Sequence, residues 1–308
     1  MRIAITGASS FLGISLGRLL AAQGHTVAGI VRNSAEPRRR HDLANLERVI
    51  DGSLQAISAL EVPLADFGPD VLIHAAWAGV RGAERDSVDQ LHNIVAAGEL
   101  AALAARIGVK TFIGIGSQAE YGPVNGVINE ACPPHPMSLY GIAKLSAASA
   151  TERLCLMNGL RWSWIRVFSL FGPRDSSHAL IPALIEGITR GERPRLTACT
   201  QRWDYLFVDD AAAAIAAVAT TPTANGFFNL GSGKAPPLVE TVIRLRDMID
   251  PAVPLGFGEV PYGPNPVLHL EADINRLTTA TGWRPATSSD EGLRATIAWH
   301  EAQRATAS

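Results

Sequence analysis

The segment SLYGIAK places Tyr140 and Lys144 four residues apart at the head of a helical pattern, so both side chains fall on one helix face. A phenol, with an ordinary pKa of about 10, is a poor acid–base group at neutral pH, but a neighbouring ammonium favours phenolate and lowers that value. Tyr140 is then able to exchange a proton with a substrate oxygen while a hydride moves at the adjoining carbon. A second hydroxyl, Ser117, stands upstream in GSQAEYG, between an apolar run and a proline-rich loop. It has no G-x-S-x-G elbow around it and no partner histidine in view, so the segment does not describe a serine nucleophile.

The N-terminal segment TGASSFLG, Thr6 to Gly13, follows an apolar strand pattern and opens a helix, where free backbone N–H groups and the helix dipole favour a pyrophosphate. Gly7 suits the tight turn and Gly13 close helix packing. Ser10 stands where a middle glycine would let the backbone approach the phosphates, and it is small enough to donate a hydrogen bond itself. The next strand ends GIVRNS, with no acidic residue at Val31, Arg32 or Asn33 to receive a ribose 2′-hydroxyl. Arg32 suits a 2′-phosphate, so NADP is expected in preference to NAD, with Arg38, Arg39 and Arg40 as possible reinforcement.

These groups must be positioned by a recurring pattern. Short β-branched runs (RIAIT, TVAGIVR, DVLIHAAW, VKTFIGIG, WSWIRVF) alternate with helical stretches, which predicts an α/β protein with a doubly wound parallel sheet. After about Phe171 prolines punctuate shorter elements, which predicts a smaller C-terminal α/β lobe. Residues 1–171 are assigned mainly to the sheet domain and 172–308 mainly to the substrate lobe, with some segments returning to the sheet. A chain of 308 residues that is 47% hydrophobic and 18% charged buries a large core. With 27 basic and 29 acidic side chains the net charge is −2, so no global field favours nucleic acid or an anionic membrane. MRIAIT reads as a strand rather than a targeting signal, and no apolar run reaches the ~20 residues of a spanning helix, so a cytoplasmic location is expected. Cys132, Cys155 and Cys199 have no C-x-x-C spacing and read as reduced, small buried residues. His74 has no metal-spaced partners and reads as a satisfied core or loop histidine, and Asp209 and Asp210 read as helix caps. No metal site is expected.

Taken in order, Gly7 to Gly13, HAAW at His74, Ser117 ahead of Tyr121-Gly122, Tyr140-x-x-x-Lys144, RVFSLFGP, WDYLFVDD and FNLGSG resemble an extended short-chain dehydrogenase/reductase. Within that group the chain is similar to the NAD(P)-dependent nucleotide-sugar epimerases and dehydratases, and the segment HAAWAGVRGAERD, with Trp77, Arg81 and Arg85, to deoxysugar 4-ketoreductases. The resemblance implies a Rossmann domain with a substrate lobe, and a catalytic set of Ser117, Tyr140 and Lys144. It implies cofactor contacts from Gly7, Ser10, Phe11, Leu12, Gly13, Arg32, Ser53, Leu54, Ala75, Ala76 and Phe168, besides Tyr140 and Lys144. For a nucleotide-sugar substrate it implies Trp77, Arg81, Ser117, Gln118 and Ser169, with Arg174, Arg202 and Trp203 near the pyrophosphate. A homodimer through the long helices after Gly82 and around Lys144 is implied as well.

Several positions depart from the family pattern. Ser169 replaces a frequent asparagine, Trp203 replaces an arginine before Asp204, Ser53 replaces an aspartate near adenine, and Asn265 is the nearest polar residue where a late arginine is usual. Arg202 or Arg174 is expected to take over at the pyrophosphate. In related 4,6-dehydratases an Asp and a Glu follow the catalytic hydroxyl, where Gln118 and Ala119 stand here, and Glu120 is expected to face away along an extended segment. The expected activity is therefore NADPH-dependent reduction of the 4-keto group of a nucleoside-diphosphate-4-keto-6-deoxyhexose. A nucleotide-sugar 4-epimerase is the alternative, and a non-catalytic NADP sensor or scaffold is the alternative of another class.

Overall fold

In the first strand, β1 (Arg2–Thr6), alternate side chains enter two different cores: Ile3 and Ile5 join one, Ala4 the other. A strand buried on both faces needs helices on both sides, and the computed structural model, which describes residues 1–33, 41–263 and 266–307, has that layout. The elements that follow are α1 (Phe11–Ala22), β2 (Thr26–Val31), β3 (Arg48–Asp51), α2 (Glu61–Phe67), β4 (Val71–His74), α3 (Gln90–Arg106) and β5 (Thr111–Ser117). Next come β6 (Gly126–Ile128), α4 (Leu139–Met157), β7 (Arg161–Val167), β8 (Ser169–Phe171), α5 (Leu180–Thr189), β9 (Arg202–Trp203) and β10 (Tyr205–Phe207). The chain closes with α6 (Val208–Thr220), β11 (Gly226–Leu230), α7 (Leu238–Ile249), β12 (His269–Ala272), α8 (Asn275–Thr281) and α9 (Ser289–Ala307).

Among the described residues seven parallel strands form the main sheet in the order β11-β7-β5-β4-β1-β2-β3. The order reverses between β1 and β4, which opens a crevice at the carboxyl ends of those strands. Helices α1 and α6 cover one face, where Leu16, Leu20, Ile215 and Val218 pack on the sheet. Helices α2, α3 and α4 cover the other, bringing Leu64, Leu100 and Ala147 against it. Arg161 secures the far edge by donating to the carbonyls of Val218, Ala219 and Ala224, a cation at the negative end of α6.

A third core joins α5, α7 and α9 around Phe171, Phe207 and Leu245, beside two small parallel sheets, β10-β8 and β6-β12-β9. Fully buried Asp204 ties this part to the main sheet: its carboxylate accepts from Ser232 N, Ser232 Oγ, Gly233 N and Ala272 N at 2.6–3.1 Å. Asp210, read from the sequence as a helix cap, does other work. Phe207 is the N-cap of α6, and Asp209 and Asp210 lie in its first turn, where Asp210 accepts from Ala286 N and Thr287 N and fixes the loop before α9. Those two amides have no helical partner, and a carboxylate satisfies both. Cys155 and Cys199 are buried free thiols, whereas Cys132 is only half-buried. Among the described residues no helix is long and apolar enough to cross a membrane.

Candidate functional site

At the carboxyl ends of β4, β5 and β7 a cavity of about 330 Å³ gathers Leu12, Ala75, Trp77, Ser117, Gln118, Tyr140, Lys144, Phe168 and Ser169. Each reaches it for a local reason. Ser117 ends β5 and caps the short 3-10 turn Gln118–Glu120, its hydroxyl accepting from Ala119 N at 3.2 Å. Tyr140 and Lys144 occupy the first turns of α4, on its buried side, and Ser138 caps that helix by accepting from Gly141 N. Glycine at 141 is required there, because a Cβ would lie 2.5 Å from the Ala119 carbonyl oxygen, so the helix start is pressed against the turn that carries Ser117.

Lys144 is 4% exposed, its Nζ donating to the Ile115 carbonyl at 2.6 Å and lying 3.7 Å from the centre of the Trp77 ring. Burial brings this ammonium down to about 7, against an opposing pull from Glu120. Tyr140 behaves differently from the sequence expectation. Burial pushes its phenol above the ordinary value, Glu120 adds to the rise, and the groups that lower it are the Ser117 side chain and Arg85 rather than Lys144. The reason is geometric: Lys144 Nζ stands 5.9 Å from the Tyr140 ring centre and is turned toward Ile115 and Trp77, whereas the Arg85 guanidinium carbon is 4.4 Å from that ring.

Trp77 meets Tyr140 edge to face, with ring centres 6.3 Å apart, and its indole N–H donates to Gln90 Oε1 at 2.9 Å. One face of this indole therefore holds the Lys144 ammonium. Gln90 and Asn93, on α3, fasten the whole loop: Gln90 Nε2 donates to the Gly79 and Glu84 carbonyls, and Asn93 bonds both the N–H and the carbonyl of Ala78. Neither residue was singled out from sequence, although two buried polar residues three apart in an apolar helix pattern are a signal. Arg85, Val80, Ile115, Gly116 and Val167 also line the cavity without having been assigned to it.

Glu120 faces away from the cavity, but not by strand alternation. It belongs to a turn, is fully buried, and accepts from Ser117 N, Trp164 Nε1 and Arg166 Nε. Arg166 in turn donates to the Tyr121 hydroxyl, which donates to Asn229. His74 is a core histidine bonded through Nδ1 to Thr6 Oγ1 at 3.0 Å, yet its buried Nε2 has no partner among the described residues, so it is only half satisfied there. Burial lowers it to about 3, with Lys144 adding to the fall, and it stays neutral.

The glycine turn fits a dinucleotide. Gly7 has φ 72° and lies so close to the β4 loop that a Cβ would sit 2.8 Å from Ala76 N, while a Cβ on Gly13 would collide with the Gly7 carbonyl. Ser10, exposed, caps α1 by accepting from Gly13 N at 3.1 Å. Arg32 is exposed just past β2, and Ser53 and half-buried Leu54 follow β3. Arg38, Arg39, Arg40 and Asn265 lie outside the described residues.

The remaining residues expected to contact cofactor or substrate, with Arg174, Arg202 and Trp203 among them for the pyrophosphate, are dispersed. Phe11 and Arg174 line a second cavity of about 790 Å³ between α1 and α9, and Arg174 pairs with Asp42 at 3.0 Å. Arg81 pairs with Asp175 at 2.9 Å. Arg202 is exposed on β9, and the Trp203 indole donates to Ser169 Oγ at 2.8 Å.

Comparison with known proteins agrees with this layout. The model of the NAD dependent epimerase/dehydratase family matches residues 3–231. The chain is 27% identical to a UDP-glucose 4-epimerase of Mycolicibacterium smegmatis, over 96% of this chain and 97% of that protein. It is also 27% identical to a GDP-6-deoxy-D-mannose reductase of Pseudomonas aeruginosa, over 96% of both. The crystal structure of the Bordetella bronchiseptica enzyme WbmG in complex with NAD and UDP is 25% identical and superposes with a TM-score of 0.83, covering 98% of this chain and 96% of that one. With the family model matching most of its length, this chain belongs to the NAD dependent epimerase/dehydratase family.

Proposed function

We propose that the protein is a nicotinamide-dependent oxidoreductase acting at C4 of a nucleoside-diphosphate sugar, and that it uses NADPH to reduce the 4-keto group of a 4-keto-6-deoxyhexose. The observation that carries this reading is the convergence of Ser117, Tyr140 and Lys144 on one cavity beside the glycine turn. A nicotinamide nucleotide, when bound, supplies the hydride. The protein's own part is to hold the carbonyl oxygen against the Ser117 hydroxyl, to give it the Tyr140 proton, and to hold that tyrosine in a site from which water is largely excluded. Arg32 just past β2, with no acidic residue beside it, supports NADPH over NADH.

Elimination of water is disfavoured in this reading. Gln118 is an amide, Ala119 carries no proton, and Glu120 is committed to Ser117, Trp164 and Arg166. A C4-epimerase is the second reading, favoured by the full-length similarity to a UDP-glucose 4-epimerase. The same catalytic groups serve both, because an epimerase oxidises and re-reduces one carbon. A homodimer is part of the proposal, supported by the exposed Leu91 and Val95 on α3 and Ile142 on α4.

Incubation with NADPH or NADH and a panel of nucleotide sugars separates the readings. About one NADPH oxidised per 4-keto-6-deoxy sugar nucleotide reduced, with NADH poorer, is the expected result. Interconversion of C4 epimers without net cofactor consumption would favour the second reading. Loss of one water from a nucleoside-diphosphate glucose would overturn the argument from Gln118 and Ala119.

A further inference from the structure

Among the groups around Tyr140, Arg85 has no role in the mechanism above. It stands on the 3-10 turn Gly82–Asp86, lines the 330 Å³ cavity, and stacks its guanidinium carbon 4.4 Å from the Tyr140 ring centre. The turn is fastened at two points. Asp86 Oδ1 accepts from Leu139 N at 2.9 Å, so the turn is docked on the first residue of the helix that carries Tyr140. Gln90 Nε2 donates to the Glu84 carbonyl at 3.0 Å, which ties the same turn to α3. Arg85 is thus held in register with Tyr140.

We propose that Arg85 is a positioning residue for Tyr140: the guanidinium fixes the ring with its hydroxyl toward Ser117 and stabilises the phenolate left when the proton departs. The inference rests on Tyr140 being the proton donor of the reaction proposed above. In that step the Tyr140 O–H bond breaks, the proton goes to the carbonyl oxygen as hydride reaches the carbon, and the O–H electron pair stays on the phenolate. A cation over an aromatic face is attracted to the ring. Part of the phenolate charge spreads into the ring, so the attraction grows as the proton leaves, and an interaction stronger after transfer than before it lowers the barrier. The charged groups facing Tyr140 are Lys144 from its own helix, Arg85 from the docked turn and Glu120 from the turn after β5. Glu120 is paired with Arg166, and Lys144 is directed to Ile115 and Trp77. Arg85 is the cation stacked directly on the ring.

The test uses the full chain with tyrosine labelled at its phenolic carbon, followed by NMR from neutral to alkaline pH without ligands, with Tyr140→Phe identifying the Tyr140 signal. Arg85→Gln is expected to raise the Tyr140 ionisation by about one pH unit, the equivalent of a tenfold change. With NADPH and a keto-sugar nucleotide, kcat is expected to fall about tenfold with its pH dependence displaced in the same direction and KM nearly unchanged. Arg85→Lys, which keeps the charge and loses the planar guanidinium, is expected to recover part of both shifts. If Tyr140 titrates in Arg85→Gln where it does in the unaltered protein, the proposal is overturned, whatever the rate does. A protein that reduces no keto sugar at all counts against the proposed reaction alone, because the ligand-free titration still reads the Arg85 contact.

Discussion

Lys144 is a cation held away from water by Ile115 and Trp77, and its charge has a cost that depends on pH. Burial places its folded-state value at about 7, below the ordinary lysine value. The folded protein therefore binds fewer protons than the unfolded chain between about 7 and that ordinary value, so this group makes stability rise with pH across the window, and its cost is full below it. Replacing Lys144 with methionine, which fills similar space without charge, is expected to raise Tm by a few degrees near pH 6, with the gain shrinking by about pH 9.5. Thermal unfolding at the two pH values measures it, and a gain that is absent or independent of pH would contradict the assignment. The pairing of Tyr140 with Lys144 was readable from their spacing, because a helix brings residues four apart to one face. How each charge is directed was not. That depends on which carbonyl and which aromatic face the ammonium meets, and Ile115 comes from β5 and Trp77 from the loop after β4.

At the level of elements, the turn Gln118–Glu120 combines two tasks: Ser117 caps it toward the cavity while Glu120 anchors it into the core. Glu120→Gln keeps the size and removes the charge facing Arg166, which would then be a buried cation without its partner. A loss of about 3–5 kcal/mol in unfolding free energy is expected. Denaturant unfolding monitored by fluorescence checks it; a loss under about 1 kcal/mol would mean that Tyr121 and Asn229 support Arg166 unaided. Strands β1, β2, β4, β5 and β7 and helices α1, α3 and α4 were legible because β-branched runs and helical patterns of apolar residues mark them, whereas β3 and β11 of the same sheet carried no such signal. The turn Gly82–Asp86 was not legible, since its shape comes from Gln90 and the N-terminus of α4 rather than from its own sequence. Arg85 therefore carried no positional signal toward Tyr140, and Glu120 was read as part of a strand.

For the whole molecule, α3 and α4 lie side by side on one face of the sheet and present Leu91, Val95 and Ile142 outward, each 42–59% exposed. Such a stripe on paired helices suits a second copy of the same surface. Sedimentation is expected to find a dimer, and Val95→Arg combined with Leu91→Glu is expected to give a folded monomer. A monomer in the unaltered protein would remove that part of the proposal.

The route of the chain through the main sheet bears on how the protein is made. Every residue lining the smaller cavity has been synthesised by Ser169, yet β11, which pairs with β7, and α6, which covers α1, are encoded beyond it. A nascent chain that has emerged only as far as β8 thus holds all the chemistry but not the enclosure. β7 is still an open parallel edge, and the apolar side of α1 that will meet Ile215 and Val218 is bare. The last sheet strand thus closes over an edge that has waited roughly sixty residues of synthesis, the separation of β7 and β11 along the chain.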